Sequence, residues 1–197
     1  MTMPFDAMTE VSDEALLVAY GNGDRAAAQA LTLRLTPRIF GYAARVLSDR
    51  TEAEDVVQEA MLRLWKIAPD WRQGEAQVST WLYRVTVNLC TDRLRKSGRS
   101  VDIDAVAEPE DGQPSAVATM IDTDRAKALQ AALDTLPERQ RQAVVLRHLE
   151  GLSNPEIAVV MDIGVEAVES LTARGKRALR AALAGRREEL GYDHDGT

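Results

Sequence analysis

Four cations crowd the last part of the stretch 153–183: Arg174, Lys176, Arg177 and Arg180. Guanidinium and ammonium groups at this density on one helix are equipped to neutralise phosphate oxygens. The residues ahead of them supply a frame. Ser153-Asn154-Pro155-Glu156 has capping-box form, with Ser at the N-cap, Glu at N3 and Pro in the first turn. Ile157, Val160 and Met161 recur at helical spacing, and Asp162-Ile163-Gly164 interrupts them, Gly164 being the residue that tolerates a positive φ. Val165, Val168 and Leu171 restart the stripe, which Leu179 and Ala182 extend. A helix, a short turn and a second helix form the DNA-reading helix-turn-helix pattern. A helical hairpin inside an all-α core fits the same periodicity.

A second group lies in 69–96. The loop PDWRQGEAQ holds Trp71, Arg72, Gln73 and Gly74, and the next helix, with Ser79 as its expected cap, carries Arg84, Asn88, Asp92, Arg95 and Lys96 along one side. Aromatic rings beside Arg and Asn can hold unpaired bases, which stack on rings and offer edges for hydrogen bonds. Trp81 reads equally well as a core residue, together with Leu82, Val85, Leu89 and Cys90. A third group lies on the helix 52–66, expected to be capped by a Thr51–Glu54 box. Ala53, Val56, Val57, Ala60, Met61 and Leu64 form its apolar face, while Asp55, Gln58, Glu59, Leu62, Arg63 and Lys66 form the other, bordered by Trp65. That polar face is either solvated and laced by pairs such as Glu59–Arg63, or a site for a partner helix.

These groups need helices to position them, and the chain offers little else. Of 197 residues, 45% are hydrophobic and only 5% aromatic, with no clean period-two alternation, which predicts an all-α fold. Helices are expected from Ser12, from Asp24 through 47 with Pro37 as a kink or restart, from 52, from 79, from Asp124, from a Thr135–Glu138 cap, and across 153–183. Residues 98–122 read as a flexible linker between domains at 12–97 and 123–185. It holds Asp102, Asp104, Glu108, Glu110, Asp111 and Asp122 with hardly a cation, so the net charge of −7 sits mostly there. A local basic face elsewhere can still bind phosphate. The single cysteine excludes an internal disulfide and, without an apolar run near 18 residues, fits a cytoplasmic protein. Cys90, His148 and His194 assemble no metal motif, and neither a P-loop nor a nucleophile–base spacing occurs, so no cofactor and no enzymatic activity are expected.

The segments AEDVVQEAMLRLWK, STWLYRVTVNLCTDRLRK and LPERQRQAVVLRHLEGLSNPEIAVVMDI, in this order, resemble a bacterial RNA polymerase sigma factor of the extracytoplasmic-function group. The resemblance covers about 12–183. It implies two helical domains, a sigma-2-like one for core polymerase and the −10 element and a sigma-4-like one for the −35 element. It further implies that Asp55, Gln58, Glu59, Leu62, Arg63 and Lys66 dock on the clamp coiled coil of the polymerase β′ subunit. Trp71, Arg72, Gln73, Gly74, Arg84, Asn88, Asp92 and Arg95 would hold a flipped base and melted strand of the −10 element. Glu169, Ser170, Ala173 and Arg174 would face −35 base edges, with Lys176, Arg177, Arg180, Ser153 and Asn154 on phosphates or nearby backbone. Core polymerase (through its β′ clamp coiled coil and β flap), promoter DNA and an anti-sigma factor are the implied partners. The linker would thread toward the polymerase active-site channel. The chain departs from the family at Glu169, where Lys or Arg is usual, and at Leu171-Thr172, where Arg-Leu is usual. Two lost positive groups on the groove face would weaken phosphate binding, and Glu169 could accept from cytosine N4. A stand-alone helix-turn-helix regulator and a degenerate mimic that sequesters an anti-sigma protein are the other two readings.

Overall fold

The computed structural model describes residues 11–72, 74, 77–99 and 118–189. Among these residues every regular element is helical: α1 (Asp13–Gly21), α2 (Arg25–Leu47), α3 (Arg50–Ile67), a 3-10 turn at Ala68–Asp70, α4 (Val78–Arg99), α5 (Ala118–Asp134), α6 (Glu138–His148), α7 (Asn154–Met161) and α8 (Val165–Glu189). The all-α expectation holds. Linker residues 100–117, with all the acidic groups named for it except Asp122, lie outside the described residues, as do Gln73 and His194.

Three caps form where the sequence places them. Ser12 Oγ accepts from the Ala15 amide at 3.2 Å and Asp24 Oδ1 from Ala26 at 2.9 Å. Ser153 and Glu156 close a full capping box, the Ser153 amide donating to Glu156 Oε2 at 2.7 Å. Three others do not. Asp49, not Thr51, caps α3, accepting from the Glu52 amide at 2.9 Å, which leaves Thr51 and Glu54 inside the helix. Ser79 lies inside α4; the Val78 amide at its start donates instead to Glu14 Oε1 of α1 at 3.2 Å. Thr135 turns its hydroxyl back onto the Ala132 carbonyl at 2.7 Å, and Pro137 begins α6 without a side-chain cap. Hydroxyl side chains bond backward as readily as forward, so the three-residue spacing alone overcounts caps.

Pro37 does not restart a helix: α2 runs unbroken from Arg25 to Leu47. Buried Leu35, Ile39 and Tyr42 on either side hold the axis against the core where Pro removes a ladder hydrogen bond. Helix α5 begins at Ala118, before the expected Asp124. At the α7–α8 turn the left-handed residue is Asp162 (φ 53°), not Gly164, since the short Asp side chain also tolerates that region.

One continuous apolar core joins all eight helices. Leu16, Leu17, Leu31, Ile39, Val56, Leu64 and Leu82 fill it among α1–α4, and Leu133, Val144, Leu146, Ile157 and Val168 among α5–α8. Helix α4 is buried more broadly than its expected inward set. Tyr83, Thr86 and Val87 are buried with Leu82, Leu89 and Cys90, while Trp81 and Val85 are half-buried. The extra arc faces the last four helices: α4 packs on α7, and α2 on α5 and α6.

Candidate nucleic-acid and polymerase interfaces

The α3 face stands clear of the core. Asp55, Gln58, Leu62, Arg63 and Lys66 are exposed and Glu59 is half-buried, with Leu62 keeping 62% of its surface in solvent. Arg63 pairs with Glu59 at 2.5 Å, one helical turn apart. Arg93 of α4 bonds Glu52 and lies 3.8 Å from Asp55 Oδ2, and the Glu52 hydrogen bond holds the guanidinium in its charged form. These ties fix the face at its N-terminal end, while Leu62 has no apolar cover. Trp65 does not border this face as an exposed ring: it packs edge-on against Tyr20 at 4.9 Å.

On α4, Arg84, Asn88, Asp92 and Arg95 are all exposed at spacings of four, four and three, hence one row. The loop before it carries Gly74 (φ 89°), a conformation that suits glycine. Arg72 is exposed, but Trp71 is half-buried, its ring edge-on to Trp81 at 6.2 Å, and its Nε1 is buried without a hydrogen-bond partner. Trp71 therefore braces the loop in this conformation. Its unpaired N–H is the kind of donor that a base edge could satisfy.

Helix α7, the 162–164 turn and α8 build the helix-turn-helix. Glu169, Ala173, Arg174, Lys176, Arg177 and Arg180 are exposed and Ser170 half-buried. Arg174 folds back onto Ser170, bonding its hydroxyl and, at 3.3 Å, its carbonyl. Ser153 is spent on the capping box, and its hydroxyl and then its amide, both donating to Glu156 Oε2, hold that carboxyl below its usual pKa. Half-buried Asn154 keeps an unpartnered Oδ1. Lys176 and Arg180 turn partly away from the row, rimming a small apolar groove with Leu129, Leu133, Val144 and Leu149.

The Leu171-Thr172 departure is not on the exposed face. Two residues along a helix rotate by about 200°, so Leu171 packs against the core while Glu169 points out. Thr172 is buried and bonds the Val168 carbonyl at 2.7 Å. Only Glu169 changes the charge of the outer row, and Glu166, exposed three residues earlier, adds a second carboxylate. Its i,i+3 spacing from Glu169 is the signal in the sequence that marks it.

The sequence model of Sigma-70 region 2 matches residues 31–100 and that of Sigma-70 region 4 matches 126–179, together more than half of the chain. The RNA polymerase sigma-H factor of Pseudomonas aeruginosa is 31% identical over 186 residues, covering 89% of this chain and 96% of that protein. The ECF sigma factor SigE of Mycolicibacterium smegmatis is 34% identical, over 89% of this chain and 70% of that one, and the ECF sigma-E factor of Escherichia coli is 30% identical, over 86% and 93%. The chain belongs to the ECF group of sigma factors. Among solved structures, CnrH in complex with the cytosolic domain of CnrY matches at a TM-score of 0.66 and 24% identity, over 88% of this chain and 97% of that one. RpoE of Bartonella quintana in complex with the anti-sigma factor NepR matches at 0.63 and 23%, over 78% and 94%. Both share the fold.

As a sigma factor, the protein directs core RNA polymerase to promoters for transcription initiation. Sigma factors as a family are not enzymes, and the chemistry of initiation is the polymerase's. Region 2 of this sigma factor carries the rows on α3 and α4, and region 4 carries the row on α8 except Arg180, one residue past the match. No helix among the described residues is long and apolar enough to cross a membrane.

Proposed function

We propose that this sigma factor works through three separate faces in two domains, 12–97 and 123–185. Asp55, Gln58, Glu59, Leu62, Arg63 and Lys66 on α3 meet the polymerase β′ clamp. Arg84, Asn88, Asp92 and Arg95 on α4, with Trp71, Arg72, Gln73 and Gly74 of the loop, hold the melted −10 strand. Glu169, Ser170, Ala173 and Arg174 on α8 meet the −35 major groove, with Lys176, Arg177, Arg180, Ser153 and Asn154 on phosphates, and the β flap carries this domain on the polymerase. The observation that carries the reading is that polar rows stand exposed on helices whose opposite sides are locked in the core. The protein works in the cytoplasm, where an anti-sigma factor holds it inactive until it is needed; the likeness to NepR-bound RpoE supports this.

In vitro transcription with core polymerase on a promoter library tests the proposal. Transcripts that depend on this chain and share two spaced elements are expected; none would overturn it. The degenerate-mimic reading draws support from Glu166 and Glu169 on the outer row of α8. It predicts no transcripts together with tight binding to an anti-sigma protein.

A further inference from the structure

Helix α4 carries the row assigned above to the −10 strand, and its C-terminal half leaves the core. Arg84 and Asn88 spring from turns anchored by buried Leu82, Tyr83, Val87 and Leu89, and Arg84 also lies 3.7 Å from Asp162. From Thr91 to Gly98, by contrast, no residue is buried. Around Asp92 and Arg95 the apolar footing is half-buried Leu94. Among the described residues, the polar ties from this half to other helices are made by Thr91 and Arg93. Thr91 Oγ1 accepts from Gln142 Nε2 of α6 at 2.9 Å. Arg93 bonds Glu52 of α3 and lies 3.8 Å from Asp55 Oδ2.

Arg93 does not belong to the row. It stands nine residues from Arg84 and two from Arg95, which places it about 180–200° round the axis from both, on the side of α3. There it faces a line of carboxylates at spacings of three and four, Glu52, Asp55 and Glu59, all of which act on its charge. Asp55 and Glu59 belong to the set assigned to the β′ clamp. One guanidinium is thus shared between the docking face and the helix that reads DNA. Apolar packing holds α3 against α4 without direction, whereas a charge-assisted bond from a planar guanidinium has one. The side chains of Arg93, Glu52 and Asp55 keep 26%, 45% and 59% of their surface in solvent. Ion pairs so exposed add little to stability. What this one supplies is orientation.

We infer that Arg93 is a positioning residue: through Glu52 and Asp55 it sets the C-terminal half of the −10 row at a fixed angle to the α3 docking face, so that docking on polymerase aligns Asp92 and Arg95 with the melted strand. The inference rests on the assignments of α3 to the clamp and α4 to the −10 strand. Its test uses the full chain with core polymerase and a fork-junction probe exposing a single-stranded −10 element. The Arg93→Gln holoenzyme is expected to bind that probe at least about fivefold more weakly, the low end of coupling between sites. The melting curve of the free protein, its affinity for core polymerase and the logarithmic salt slope of probe binding should all stay as they are. Arg93→Glu combined with Glu52→Arg rebuilds a pair of opposite sense and should recover most of the loss.

Unaltered probe affinity in Arg93→Gln would overturn the inference. So would a loss with a salt slope shallower by about 0.7, the mark of a direct phosphate contact. A loss that core affinity shares would reduce Arg93 to a support of the docking face, and failure of the exchanged pair to recover binding would also overturn the role. Should Arg93→Gln melt early, Glu52→Gln breaks the same bond from the other side and is expected to reproduce the loss; no loss there would overturn the inference. The reader assignment fails separately, if Arg84→Ala and Arg95→Ala leave probe binding intact in the same assay.

Discussion

Glu166 and Glu169 lie near the N-terminal end of α8, where the helix dipole favours carboxylates. The same charges oppose phosphate if that row enters a groove. Glu169→Lys is therefore expected to tighten binding to −35 duplex on the holoenzyme, with a changed base preference, both read by competition among promoter variants. At Leu62 the solvent already covers most of the side chain, so Leu62→Glu should change stability by no more than about 0.5 kcal/mol. It should nonetheless abolish binding to core polymerase, measured by native gel or anisotropy. Ser153 and Glu156 allow a sharper test. Ser153→Ala removes a cap and should cost about 1 kcal/mol in chemical denaturation. Folding favours the ionised Glu156, so its contribution is complete above the ordinary carboxylate value of 4.5 and is lost as pH falls through the lowered one. Glu156→Gln should remove that part of the acid dependence. Cys90, by contrast, reads correctly as an inert core residue: it is buried, and burial pushes its thiol up to about 12.

At the scale of elements, α6 and α8 approach so closely that a β-carbon on Gly175 would come within 2.5 Å of Val144 Cγ2 and 3.2 Å of the Gln140 carbonyl. Gly175→Ala gains helix propensity yet should destabilise by roughly 1–3 kcal/mol through overpacking, visible as a lowered melting temperature. The helix stripes were legible because apolar side chains at spacing three and four must share a face, and Ser12, Asp24 and Ser153 each announced an end. Thr51, Ser79 and Thr135 misled for a physical reason. Whether a hydroxyl caps forward or bonds back depends on competitors such as Asp49 and Glu14, and Glu14 lies far away in the chain. On α8 Leu171 belongs to the inner row and Glu169 to the outer one, a separation set by helix angle and not by residue type.

Across the whole molecule, the two units and their exposed rows could be read from the sequence, since each row needs only its own helix. Their mutual packing could not. Tyr83 and Glu150, or Thr91 and Gln142, are ordinary polar residues until the fold sets them opposite one another. No local pattern marks such a pair. Trp71 is a similar case, its buried N–H becoming notable only once Trp81 lies across it.

The Arg84–Asp162 pair has a consequence for counterions. A cation in solution gathers mobile anions, and DNA sheds condensed cations when a protein cation takes a phosphate, which gives promoter binding its steep salt dependence. Arg84 carries its own tethered anion 3.7 Å away. Trading Asp162 for phosphate exchanges one fixed partner for another, leaving the freed carboxylate to recruit a cation that offsets the one DNA releases. Asp162→Asn should therefore steepen the logarithmic salt slope of promoter binding, by at most about 0.7–0.9, in a titration of holoenzyme affinity against potassium concentration. An unchanged slope would mean that the turn carboxylate plays no part in the exchange.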